Sequence, residues 1–153
     1  LVKMTLNMKL DIIHSKILEL LQRNARISNT AIAKQVGISS PSVAERISRL
    51  EDSEIIEGYY TKVSHTGMGY DFRALITVRA FVGRLQPFLN KVKTFDEVIN
   101  CYRVTGNDNI VMEVVLNNQR HMEEFIDQLI TYGEIKTQII LSNVVSNNPI
   151  SKK

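Results

Sequence analysis

The spacing of apolar residues changes between residues 60 and 72, and that change limits the chain to two kinds of element in succession. Before it, apolar residues recur every three or four positions; from Phe72 they recur every second position. The first spacing draws one stripe along a helix, and the second draws one face of a strand. A helical unit followed by a sheet-containing unit is an α+β arrangement.

In LDIIHSKILELLQRN, Leu10, Ile13, Ile17 and Leu20 keep helical spacing, and Asp11 suits an N-cap. In SNTAIAKQVG, Ser28 can cap, Ile32 and Val36 face inward, and Gly37 suits a left-handed turn after the helix. GISSPSVAERISRLE then opens a third helix. A start at Ser40 puts Pro41 at the first helical position, where its missing N–H costs nothing. Val43, Ile47 and Leu50 form its apolar stripe, leaving Ser42, Glu45, Arg46 and Arg49 on the free side.

EIIEGYYTKV reads as a turn into an extended strand, and Gly67 and Gly69 punctuate a linker. Without a following helix, that pair of glycines is no phosphate loop. Phe72, Ala74, Ile76, Val78, Ala80 and Val82 then alternate with Arg73, Leu75, Thr77, Arg79 and Phe81. A helix carries Leu85, Phe88, Leu89 and Val92. VINCYRVT and IVMEVVL follow as strands around the turn GNDN. Met122, Phe125, Ile126, Leu129 and Ile130 mark a second helix, closed by Gly133, and IKTQIILSNVV supplies a last strand. The order β-α-β-β-α-β is the ferredoxin-like arrangement. Two helices cover one sheet face, and Leu75 and Phe81 on the other predict self-association. The expected organisation is a helix-turn-helix (winged-helix-like) domain at 1–60, a linker strand at 61–71, a βαββαβ domain at 72–146 and a flexible tail at 147–153.

Composition excludes several classes. The chain has 153 residues, 44% of them apolar, and no run approaches the ~18 apolar residues of a membrane span. The opening LVKMTLNMKL has no signal-peptide pattern, and one cysteine, Cys101, forbids an internal disulfide, which together favour the cytoplasm. His14, His65 and His121 fall in separate segments without metal-ligand spacing. Glu123 and Glu124 read as a solvated helix face. Arg73, Arg79, Arg84 and Asn100 lack an accompanying phosphate-cradling loop. No catalytic site, metal or cofactor is expected.

The net charge of +3 says little, but its distribution says more. Residues 21–50 carry Arg23, Arg26, Lys34, Arg46 and Arg49 against Glu45, five cations to one anion and a local +4. Ala33 lets two helices approach, Gly37 permits a sharp turn, and Val43 packs back: the logic of a helix-turn-helix. Its second helix would present Ser39, Ser40, Pro41, Ser42, Glu45, Arg46 and Arg49 to a major groove of double-stranded DNA. Arg26 and Lys34 would meet phosphates. The alternative is a three-helix packing unit in which Arg46 pairs with Glu45 or Glu51.

The pieces NARIS, IAKQVGIS and VAERISRLE closely resemble the N-terminal domain of the Lrp/AsnC (feast/famine) transcriptional regulators, and the second half resembles that family's effector-binding and oligomerisation domain. The resemblance implies sequence-selective DNA binding by homodimers that assemble to tetramers or octamers, with an amino-acid effector between dimers. Three departures stand out. His14 replaces a usual acid, and Glu54 stands where a glycine often precedes the II pair. The family turn of glycine, any residue, an aromatic and aspartate reads Gly106, Asn107, Asp108, Asn109, which moves or removes its charge. Thr137 matches a position lining the effector site in relatives. A turn without the usual carboxylate keeps open a ligand-independent, DNA-wrapping architectural protein. A small enzyme on the ferredoxin-like domain is the third alternative.

Overall fold

The computed structural model describes residues 8–151. They form two compact units. One comprises the described residues through Thr61 and those from Val144 on; the other is Lys62–Asn143.

The first unit holds three helices, α1 (Ile12–Arg23), α2 (Asn29–Val36) and α3 (Ser40–Asp52). Asp11 caps α1 by accepting from the His14 backbone N–H at 2.7 Å, and the His14 ring reaches back to the Asp11 N–H at 3.4 Å. This is a capping box with imidazole in place of the usual Glu or Gln side chain. Ser28 caps α2, and Gly37 ends it at φ 73°, which a residue with a Cβ adopts only at a cost. Ile17, Ile32, Val43 and Leu50 are fully buried where the three helices meet, with Leu21 and Ala33 beside them. Burying each of the larger side chains contributes about 1.5–3 kcal/mol. The cap of α3 is Ser39, not Ser40, so Pro41 stands second in the helix. Proline fits there too, because the first four N–H groups lack intrahelical acceptors. The turn after α3 places Glu54 at φ 57°, the left-handed geometry that makes glycine the easier residue there.

The second unit contains β1 (Phe72–Ala80), α4 (Leu85–Lys91), β2 (Val98–Arg103), β3 (Ile110–Leu116), α5 (Gln119–Leu129) and β4 (Gly133–Ile139). The sheet order is β2-β3-β1-β4 and every pairing is antiparallel. Ala74, Ile76 and Val78 of β1 and Ile110, Met112 and Val114 of β3 pack against Phe88 of α4 and Phe125 and Leu129 of α5. The opposite face mixes Arg73, Leu75 and Thr77 with Val111, Glu113 and Val115. There the Thr77 hydroxyl is buried without a hydrogen-bond partner among the described residues.

Four boundaries differ from expectation. Residues 61–71 contain no strand; residues 57–64 pair with nothing in a ladder, and a short 3-10 turn follows at Thr66–Met68. An extended segment becomes a strand only when a neighbour takes its N–H and C=O groups. β4 stops at Ile139 instead of reaching Val145. Its neighbour is β1, whose Arg73 carbonyl takes a last bond from the Ile140 N–H at 2.8 Å and which ends at Phe72. Gly133 does not close α5. It opens β4 opposite Ala80, where a Cβ would lie 2.4 Å from the Arg79 carbonyl oxygen. Finally, residues from Val144 belong with the first unit and not with the sheet. Within the tail expected at 147–153, the Gln22 side-chain amide donates to the Ile150 carbonyl at 3.0 Å and accepts from its N–H at 2.7 Å. Lys152 and Lys153 lie outside the described residues.

Candidate nucleic-acid interface and effector turn

The segment from α2 through Gly37 to α3 has the two-helix geometry that the sequence suggests. At the start of α3, Ser39 accepts from the Ser42 N–H at 3.3 Å, and the two hydroxyls lie 2.8 Å apart. Each hydroxyl has further hydrogen-bonding capacity, so both can cap the helix and still meet a phosphate or base edge. Ser40 is partly covered. The outward face of α3 carries Pro41, Ala44, Glu45, Ser48 and Arg49. Ala44 and Ser48 were missed from sequence. Counting three and seven positions from Pro41 along the wheel finds them, and their small side chains let a helix backbone approach a groove floor closely.

The cations divide into three situations. Arg26, in the turn between α1 and α2, and Lys34, on α2, are exposed and have no acidic partner among the described residues. Arg49 pairs with Glu45 one turn back, both about two-thirds exposed. Such a pair contributes little and exchanges readily for a phosphate. Arg46 departs from both sequence alternatives. Its Nη1 donates to Asp11 Oδ2 at 2.7 Å and lies 3.1 Å from each ring nitrogen of His14, so it joins α3 to α1 instead of pairing with Glu45 or Glu51. The buried His14 is thereby explained as both cap and wall. The backbone N–H of His14 has the largest effect on the Asp11 carboxyl; with the lesser help of the Arg46 guanidinium it holds that group below the usual carboxylate range, against an opposing effect of burial that is second in size. Beyond α3, the Tyr59 hydroxyl donates to Glu51 at 2.8 Å. Burial first, and then Glu51, push that phenol up to about 12.

In the second unit, Gly106 takes φ 112° in the β2–β3 turn, a conformation suited to glycine. Asn109 is engaged through three of its polar groups. Its Oδ1 accepts from Ala80 N–H at 2.8 Å, its N–H donates to Val78 and its carbonyl accepts from Val104. Asn109 thus joins the end of β1 to the turn. Asn107 is exposed, and the Asp108 carboxylate lies 3.6 Å from Lys136 Nζ. Thr137, the next residue, faces the helix-covered side of the sheet in register with Ile76. The turn therefore meets β4 through Lys136, while Thr137 faces away from it. A cavity of about 260 Å³ opens at the opposite end of the sheet, between Asp71–Arg73, Ile139–Asn143 and His65.

Among the residues weighed for catalysis, His121 bonds Glu97 at 3.0 Å and accepts from the Asn117 N–H just before α5, which Asn118 caps, and Cys101 is half-buried, with its thiol pushed up by burial. No group of three or more His, Cys, Asp or Glu side chains among the described residues is placed to hold a metal. No helix among them is long and apolar enough to cross a membrane.

Residues 10–57 match the family model for winged helix-turn-helix DNA-binding domains, and residues 73–150, about half the chain, match that for the Lrp/AsnC ligand binding domain. The chain belongs to the Lrp/AsnC family of transcriptional regulators. One relative, the HTH-type transcriptional regulator Ptr1 of Methanocaldococcus jannaschii, is 31% identical over 79% of this chain and 82% of its own. The structure of Bacillus subtilis LrpC is similar at a TM-score of 0.85 and 26% identity, covering 91% of this chain and 99% of LrpC. A regulator from Neisseria meningitidis, solved as its L-Met complex, shares the fold at a TM-score of 0.87 and 22% identity, over 93% of this chain and 96% of that one. The family is one of DNA-binding regulators, and both Lrp/AsnC domains are present in their usual order.

Proposed function

We propose that the protein is a cytoplasmic, sequence-selective DNA-binding regulator that acts as a homodimer and assembles further to a tetramer or octamer. The observation that carries this reading is the outward face of α3. It is small and polar, framed by the cations Arg26 and Lys34, which have no acidic partner among the described residues, and by an Arg49 that pairs there only with exposed Glu45. Ser39, Ser42, Ala44, Ser48 and Arg49 would meet base edges or flanking phosphates, with Pro41 and Glu45 shaping the approach and Ser40 close to the backbone. Two copies joined through their second units would present two such helices at a fixed spacing, so operators should be near-palindromic. The uncovered sheet face around Leu75, Thr77 and Val111 supports self-association.

The match to the Lrp/AsnC ligand binding domain supports an amino acid as effector, with Gly106, Asn107, Asp108 and Thr137 as the residues to test. A second reading, a ligand-independent protein that wraps DNA, is favoured by one observation. Asn109 is neutral and its side-chain oxygen is committed to Ala80.

The test is binding to the DNA upstream of the protein's own coding region at one fixed salt concentration, repeated with each of the twenty amino acids while assembly size is recorded. An affinity or size change with one amino acid supports the effector reading. Tight binding indifferent to all of them supports the wrapping protein. Failure to bind that DNA, or any duplex enriched from random sequence, overturns both.

A further inference from the structure

We propose that Asp11 is a positioning residue for DNA binding. It fixes the Arg46 guanidinium against α1, so that the rest of that cation's donor fork stands ready for a DNA phosphate. The inference rests on the DNA-binding reading of α3 and adds a residue from outside the helix-turn-helix to it.

Asp11 divides its two oxygens between two tasks. Oδ1 accepts the His14 backbone N–H and caps α1, while Oδ2 accepts Arg46 Nη1, both at 2.7 Å. The buried His14 ring backs the same nitrogen, which lies 3.1 Å from Nδ1 and from Nε2. All of these contacts fall on Nη1. A guanidinium carries five N–H donors, and those on Nε and Nη2 have no hydrogen-bond partner among the described residues. The Arg46 side chain remains 26% exposed. It is thus anchored at one nitrogen and open at the others. Arg49 contrasts with it, because its partner Glu45 lies on the same helix and both are mostly solvated. A cation already held in one rotamer loses less freedom when a phosphate arrives, and the planar fork keeps its open donors in fixed directions. The anchor also crosses from α3 to the first residue before α1, so it sets where α3 stands in the unit as well as where Arg46 points.

The alternative is that Asp11 is only a helix cap, and Asn separates the two roles. Asn caps as well as Asp, but its single oxygen cannot serve both partners and would leave an amide NH₂ facing the guanidinium. The experiment uses the full chain and the duplex it enriches most strongly from random sequence, and compares Asp11→Asn, Asp11→Ala, Arg46→Ala and the Asp11→Asn/Arg46→Ala double variant, with Arg49→Ala as control. Positioning predicts that Asp11→Asn keeps its unfolding temperature within a few degrees yet binds about tenfold more weakly. The salt slope should fall by about one, and the change should be silent on the Arg46→Ala background. Wild-type affinity in Asp11→Asn, with loss only in Asp11→Ala, makes Asp11 a cap and overturns the proposal. Independent, additive losses in the double variant overturn it as well. Loss in Arg49→Ala but not in Asp11→Asn sinks this proposal alone, whereas a folded wild type that enriches no duplex sinks the DNA-binding reading with it.

Discussion

At the scale of single residues, two polar groups of the first unit have their titration shifted by burial and by their partners. Asp11 has a folded pKa below its ordinary value, so its contribution to stability is present above about pH 4 and is lost as pH falls through the lower folded value. Unfolding midpoints followed from pH 6 to pH 2 should fall more steeply at the acid end for the wild type than for Asp11→Asn; parallel curves would count against the linkage. Tyr59 behaves in the opposite sense. Its folded value of about 12 lies above the ordinary 10, so its contribution is present below about pH 10 and disappears as pH rises through 12. Absorbance titration of the phenolates should therefore show Tyr59 ionising late, a component that moves back toward 10 in Glu51→Gln and vanishes in Tyr59→Phe. Neither partner was legible in sequence as such. Asp11 reads as a cap, but nothing local says that its second oxygen is taken by a residue 35 positions away.

At the scale of elements, the helices follow from short-range signals and the strand ends do not. Ser28, Gly37 and the Val43–Leu50 stripe all act within a few residues, and each stands where local chemistry puts it. Gly133 shows the contrary case. Its position after an amphipathic helix resembles a helix terminator, yet what demands glycine is the backbone of β1 passing across it. Gly133→Ala should therefore destabilise the second unit by about 1–3 kcal/mol, as overpacking against backbone does. The loss would be seen as a lower denaturant midpoint at unchanged slope. A variant as stable as wild type would mean that β1 and β4 separate easily at that end. The ends of β1, β2 and β4 likewise depend on where a neighbouring strand stops, which no periodicity encodes.

For the whole molecule, the alternation in β1 already indicated a sheet with helices on one side and a mixed face on the other. The buried hydroxyl of Thr77, partly exposed Leu75 and the Arg73–Glu113 ion pair share that open face. Leu75→Lys tests its role in assembly. Leu75 lies opposite Glu113, so a lysine there finds a cross-strand partner and leaves the fold of one copy intact, while placing a charge on any surface that packs against it. Sedimentation should show smaller species than the wild type, with unchanged far-ultraviolet circular dichroism. DNA affinity should drop as two recognition helices lose their fixed spacing. Unaltered assembly would move the contact to another surface.

The sequence by itself determined the kinds and order of the helices and of the four sheet strands, the helix-turn-helix and the family, because periods, caps and turn residues act over a few positions and survive without knowledge of the rest. Tertiary structure decided which groups those elements bring together. It joined Arg46 to Asp11, Asn109 to Ala80 and Gln22 to Ile150, contacts spanning 35, 29 and 128 residues. It left residues 57–64 without a ladder and ended β4 where β1 runs out. The physical reason is common to all of these. A hydrogen bond or ion pair between distant residues exists only once packing has set both backbones, so a side chain's chemistry can be read locally while its partner cannot.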